Sequence, residues 1–335
     1  MRLGTFVHVS DLHFGNIDSK NQIVYDAKAP WLIRKLKCID GLWGHSYRAL
    51  VRLEEFFSRM NQAEQAKLIV TGDVTCVGAH AQFALAKDYL GSIKRFPNGV
   101  PLGLRAADWE DRMVPGNHDH WPGLALIVGP PIYLQKNNPG LPQVSAPVLL
   151  PNGVALRFFR INTDGDVGSY SLNRVLARGK FHNHLKAVPT MANAGEIRVL
   201  LLHHSVAHRG ITLSINSRSR KALEKFLVQQ DISIILTGHT HVPLVKPFSA
   251  SHDGKTLNVL EASSGTTTQL DEVPKPFRSL FASQPNRKIA TNTLIVHRLM
   301  EENNKIFWDA KTYSREPNGF VLKGPSDKVE VWPRP

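Results

Sequence analysis

The sequence predicts an α/β fold, and three observations carry that expectation. Short apolar, β-rich runs recur along the chain. Between several of them lie stretches with apolar residues at helical spacing. After five of the runs comes a turn rich in Asp, Asn, His and Gly. Alternating strands and helices place helices on the outside of a sheet. Ligands of such sheets sit at the carboxyl ends of strands.

The elements follow in order. Residues 5–9, "TFVHV", read as a buried first strand. A polar, tryptophan-containing stretch fills 14–46. From Tyr47 a helix is expected, because Leu50, Leu53, Phe57, Met60 and Ala63 share one face. "KLIV" (67–70) is a short strand, and a second helix puts Phe83, Ala86, Leu90 and Ile93 on one face. "DRMV" (111–114) is the next strand expected, and 121–153, rich in Pro and Gly, reads as loop. Strands are then expected at 154–162, 197–202, 232–236 and 257–262, with a helix over about 217–230. "NTLIVHRL" and "KIFWDAKTY" form a late hairpin. The reading is one domain over 1–315, with insertions at 14–46, 120–152 and 270–289 and an extension at 316–335.

Composition narrows the function. The chain has 335 residues, 42% hydrophobic and 21% charged, which is ordinary for a globular protein. Its 41 Lys and Arg against 28 Asp and Glu give a formal charge of +13, which suits anionic partners. Cys38 and Cys76 are too few for a thiolate cluster or a disulfide framework, so a reducing, cytoplasmic setting is expected. No run approaches the ~20 apolar residues of a membrane helix, and the N-terminal apolar segment is too short for a signal peptide.

The polar turns carry the chemistry. They are "DLH" (11–13), "TGD" (71–73), "PGNHD" (115–119), "HH" (203–204) and "TGHTH" (237–241). Any one is a weak signal: an Asp after a strand is more often a helix cap. Five in succession, each after a strand, would meet at one sheet edge. Imidazole, carboxylate and amide oxygen suit first-row divalent metals, and the set is too large for one four-coordinate site. Two metals about 3.5–4 Å apart serve phosphoester hydrolysis.

These five motifs resemble the calcineurin-like metallophosphoesterase superfamily, whose pattern is D-x-H, G-D, G-N-H-[DE], a His after a strand, and G-H-x-H. The resemblance implies a four-layer α-β-β-α sandwich of two mixed sheets flanked by helices. It implies two divalent ions (Mn, Fe or Zn). Asp11, His13 and His241 would hold the first and Asn117, His203 and His239 the second. Asp73 would bridge them together with a hydroxide that attacks phosphorus. His118 would act on the substrate, and Asp119 would orient His118. "HVSDLHFG", "GDVT" and "GNHD" look most like the class III cyclic-nucleotide phosphodiesterases and their relatives. Val77 stands where the protein Ser/Thr phosphatases have a phosphate-binding Arg. The implied function is a phosphodiesterase acting on a small or nucleotide-type phosphoester. The alternatives are a nuclease of the DNA-repair exonuclease type and a non-catalytic scaffold. Trp31, Trp43, Arg34, Lys35 and Lys37 offer a basic–aromatic mixture that suits a nucleotide or a nucleic-acid backbone.

Overall fold

The computed structural model describes residues 1–17, 23–24, 45–76, 78, 80–95, 101–120, 144–167, 173, 176–191, 195–268 and 292–332. Its strands are β1 (Arg2–Val9), β2 (Asn16–Ile17), β3 (Ile23–Val24), β4 (Lys67–Val70), β5 (Lys94–Arg95), β6 (Pro101–Leu102), β7 (Val148–Leu149), β8 (Ala155–Arg160), β9 (Glu196–Leu201), β10 (Ile234–Thr237), β11 (Leu244–His252), β12 (Lys255–Ser263), β13 (Thr293–Glu302), β14 (Lys305–Glu316), β15 (Gly319–Leu322) and β16 (Asp327–Trp332). Its helices are α1 (Tyr47–Glu64), α2 (His80–Gly91), α3 (His182–Ala187) and α4 (Ser217–Gln230).

Two mixed sheets result. The first runs β15-β14-β13-β1-β4, with β16 also on β14; the second runs β11-β12-β10-β9-β8-β7. Period-two alternation sorts each strand's side chains into layers. On β1, β4 and β13, Val7, Val9, Leu68, Val70, Leu294 and Val296 face α1 and α2. Phe6, Ile69 and Ile295 face the other way, meeting Phe158, Val199 and Leu236 of the second sheet. Leu200 and Ile235 turn outward against Leu223, Phe226 and Leu227 of α4. Three apolar layers thus separate four layers of structure, as expected of the sandwich. The strand runs are apolar on both faces because both faces are covered.

Several local expectations are corrected. "DRMV" is not a strand: Trp109–Arg112 form a short 3-10 turn entered through Asp108 in left-handed φ, and Met113 makes only an isolated bridge to Val70. The edge of β4 is met instead by the buried Arg112, whose Nε donates to the Leu68 carbonyl at 3.1 Å. Ile93 lies beyond the end of α2 and is exposed. Of the stretch 316–335, the described part to residue 332 contributes β15 and β16, both paired antiparallel with β14. Phe320 and Val331 are buried there, which ties the segment to the sheet. The bulk of the stretches expected as insertions lies outside the described residues, and with it Trp31, Trp43, Arg34, Lys35, Lys37, Cys38, Val77 and Trp121.

Candidate metal centre

The polar turns converge where the two sheets' strand ends face each other. Asp11 and His13 follow β1, and Asp73 follows β4. Asn117, His118 and Asp119 follow the bridge at Met113. His203 and His204 follow β9, and His239 and His241 follow β10. The parallel pairing of β1 with β4 and of β9 with β10 brings these ends level.

The contacts are close. His241 Nε2 lies 3.2 Å and His13 Nε2 3.8 Å from Asp11 Oδ1. His203 Nε2 lies 3.2 Å from Asp73 Oδ2, 3.1 Å from Asn117 Oδ1 and 3.1 Å from His239 Nδ1. Three triads have their ligand atoms within 4.8 Å of one another: Asp11, His13 and His241; His13, Asp73 and His118; Asp73, His203 and His239. Asp73 belongs to two of them.

Electrostatics argues for a cation. Asp11 and Asp73 are buried, and among the described residues neither pairs with a lysine or arginine. Among the described residues His13 Nδ1 has no hydrogen-bond partner, and Asp11 Oδ1 has only its 3.2 Å contact with the His241 imidazole. A buried carboxylate pair balanced only by imidazoles is costly unless a positive ion joins it. The donor set of carboxylate, imidazole and one amide oxygen fits a divalent first-row ion. Protons currently meet part of that need. Burial opposes charge on His203, but Asp73 and Asp11 beside it push it up to about 10. Burial likewise opposes charge on Asp73, and His203, His118 and His13 hold it well below the usual carboxylate range. A ligating cation would displace that proton.

The backbone at the site is unusual. Asp11, His13, Asp73, His239 and His241 all have φ between 48° and 71°, the left-handed region that non-glycine residues seldom enter. Gly72, at φ 97°, shows why glycine stands before Asp73. A Cβ there would lie 2.6 Å from His203 Nδ1 and 2.7 Å from the Gly116 amide.

His118 and Asp119 each have defined partners beside the cluster. The His118 ring points Nδ1 at the Cys76 carbonyl, 2.8 Å away, and its amide donates to Asp73 at 2.8 Å. Its ring meets that of His13 edge-on, with centroids 4.9 Å apart. Burial holds its pKa down. The Asp119 carboxylate accepts from the amides of Val74, Thr75 and Gly116 and from the Thr75 hydroxyl, at 2.8–3.2 Å. It therefore pins the Asp73 turn to the Asn117 turn. Burial and the charge of Asp73 push its pKa up to about 6.

His204 stands behind the cluster. Its Nδ1 pairs with Thr163 Oγ1 at 2.7 Å, its Nε2 lies 3.2 Å from the Ala177 carbonyl, and its ring packs 4.1 Å from that of His239. His120 Nε2 reaches Asn162 Oδ1 at 3.2 Å.

A family model for the calcineurin-like phosphoesterases matches residues 4–243, a span that contains every one of these turns. The chain belongs to that family. Two solved Vps29 structures are similar to this calcineurin-like chain. A double mutant from Entamoeba histolytica has a TM-score of 0.34 and 11% identity, covering 97% of this chain and 98% of its own. Vps29 of Chaetomium thermophilum has a TM-score of 0.35 and 8% identity, covering 99% and 98%. No curated protein matches the chain.

The motif reading missed two supports of this calcineurin-like site. One is "SSGTTT" (263–268), a run of buried hydroxyls laid along the first metal-side turn. Ser264 donates to the His8 carbonyl, Thr266 to Asp11 and Thr268 to Leu12, while Thr267 accepts from the Ser10 amide. The other is Glu261, which accepts from the amides of Val206 and Ala207 and from the Thr237 hydroxyl. Five hydroxyl residues around a single glycine, closing an apolar strand, were the available signal for the first. Glu261 sits inside "LNVLEA", where nothing distinguishes it from a solvent-facing residue.

Proposed function

We propose that this protein is a metal-dependent phosphoester hydrolase, acting as a phosphodiesterase on a small or nucleotide-type phosphoester. The observation that carries the reading is the buried Asp11 and Asp73 pair, ringed by imidazoles and lacking any fixed basic partner among the described residues. Asp11, His13 and His241 would hold one ion, Asn117, His203 and His239 the other, and Asp73 both. Two divalent cations there would neutralise charge on phosphoryl oxygens and make water a competent nucleophile near neutral pH.

The chain's own residues do the rest. Several imidazoles are held by one nitrogen so that the other faces the cluster: His203 donates Nδ1–H to the Thr71 carbonyl at 2.7 Å, which turns Nε2, and the proton a cation would displace, toward it. His118 donates Nδ1–H to Cys76 and keeps Nε2 as its other ring nitrogen. Burial keeps that ring neutral until an anion sits opposite it. A phosphoester there would raise its proton affinity, and a proton held at Nε2 can pass to the leaving oxygen. Asp119 keeps the two turns that carry Asp73 and His118 in register.

The test is a turnover panel with Mn²⁺ on a bis-aryl phosphodiester, an aryl monoester, cyclic nucleotides and single-stranded DNA. The diester and nucleotide substrates are expected to be hydrolysed. Asp73→Asn, which keeps the shape and removes the charge, is expected to lose bound metal and on the order of a thousandfold or more in kcat. Full turnover in that variant would defeat the dinuclear reading. Salt-sensitive cleavage of DNA alone would move the assignment to a nuclease.

A further inference from the structure

Two buried histidines between the sheets belong to none of the motifs. His8 lies on β1 and His297 on β13, both fully buried. They form one hydrogen-bonded line whose direction can be read from a single donor. Trp308 on β14 packs against Phe6, with ring centroids 6.2 Å apart, and its Nε1 lies 2.9 Å from His297 Nδ1. An indole N–H can only donate. His297 Nδ1 is therefore an acceptor, and that ring's proton is on Nε2. His297 Nε2 lies 3.2 Å from His8 Nδ1, so it donates and His8 accepts. The proton of His8 is then also on Nε2, 2.9 Å from Thr71 Oγ1. Burial disfavours a second proton on either ring; it takes His8 down to about 3, with Asp11 pulling weakly the other way, and holds His297 well below the usual imidazole range. Neutral rings with one proton each leave the line a single polarity.

Thr71 is where this line meets the metal centre. Its hydroxyl takes the proton of His8, its amide donates to the Val9 carbonyl at 3.1 Å, and its own carbonyl accepts from the Ser10 hydroxyl at 3.2 Å and from His203 Nδ1 at 2.7 Å. Gly72 and Asp73 follow directly in the chain. We infer that His8 and His297 are positioning residues for the metal centre. The ordered line from Trp308 through His297 and His8 fixes Thr71, and with it the carbonyl that turns His203 Nε2 toward Asp73 and Asn117. The inference rests on the reading of the cluster as a metal centre. Thr71 stands one step behind His203 and His8 two, and groups that orient a metal ligand set its affinity.

A role in packing alone makes a different forecast. Replacing buried polar partners by apolar groups of similar shape is often neutral for stability. His8→Leu would then leave metal binding untouched. The experiment uses the full chain in two readouts. Imidazole nitrogen NMR on the metal-free protein is expected to show His8 and His297 both protonated at Nε2, and Trp308→Phe is expected to mix the tautomers. Either ring found as the Nδ1–H tautomer in the wild type overturns the inference. Calorimetric titration with Mn²⁺ is expected to show one of two sites weakened roughly tenfold to a hundredfold in His8→Leu. The melting temperature should move little. Unchanged affinity overturns the inference while the metal reading stands. A wild type that binds no Mn²⁺ overturns both. If His8→Leu does not fold, Trp308→Phe carries the same titration, with a smaller weakening expected and unchanged affinity again counting against.

Discussion

The two sheets bring unlike chemistry to one edge. The strand ends of the first, β1 and β4, supply both carboxylates of the cluster, Asp11 and Asp73, together with His13. The strand ends of the second, β9 and β10, supply imidazoles only: His203, His239 and His241. Carboxylates stand on one side and imidazoles on the other. Neither sheet alone offers a cation both enough charge and enough ligands. The difference teaches that the site is a property of the packing between sheets, more than of either sheet's loops. The layer between them is apolar where Phe6, Phe158 and Leu236 meet, and polar near the site where His8 and His297 lie.

Acid should test that layer most severely. Unfolded, a histidine titrates near 6.5, whereas burial holds His8 down to about 3 and His297 lower than usual in the fold. Below pH 6.5 the unfolded chain therefore binds more protons than the folded one. Stability present above pH 6.5 is lost as pH falls toward about 3, by several kcal/mol in order of magnitude. Denaturant titrations across that window would measure it. An acid limb equally steep in His8→Leu would show that other groups are responsible.

Next in size is a matched pair of core truncations. Phe158→Ala opens the layer between the sheets, where its ring meets Phe6 edge-on at 5.7 Å. It should cost about 3–5 kcal/mol and also weaken Mn²⁺ binding. Leu227→Ala opens the outer layer under α4 and should cost about 2–5 kcal/mol, with the metal affinity of the folded fraction intact. Equal losses of affinity in the two would break the comparison. The smallest effect is expected from Glu261→Gln, at about 1–3 kcal/mol, because one buried acceptor geometry is lost. Hydrogen exchange should quicken at residues 203–208 and stay unchanged on β1 and β4.

Much of the site was legible because its chemistry concentrates in short turns. "GNHD" and "GHTH" place imidazoles where loops seldom need them, and the apolar runs before "HH" and "GHTH" are strands buried on both faces. Helices α1 and α4 were legible from one apolar face each, and both also begin at side-chain caps, Ser46 and Asn216. Other parts left no such trace. β11 is largely exposed, as are the ends of β15 and β16, so no apolar pattern marks them. "DRMV" has the composition of a strand, but its arginine is spent on the β4 edge. The place of Asp119 depends on backbone amides from residues 74, 75 and 116, which no sequence pattern announces.

The left-handed turns at the candidate ligands have a consequence for heredity. At Asp11, His13, Asp73, His239 and His241 the backbone suits glycine, and each side chain held there carries strain of order 1–3 kcal/mol. Glycine's greater freedom in the unfolded chain offsets only about 0.5–1 kcal/mol of the relief it would bring. Drift under selection for heat resistance alone would therefore erase the ligands one by one and leave a sturdier, chemically silent descendant. Each carboxylate or imidazole at these five turns is therefore held against the backbone's own preference.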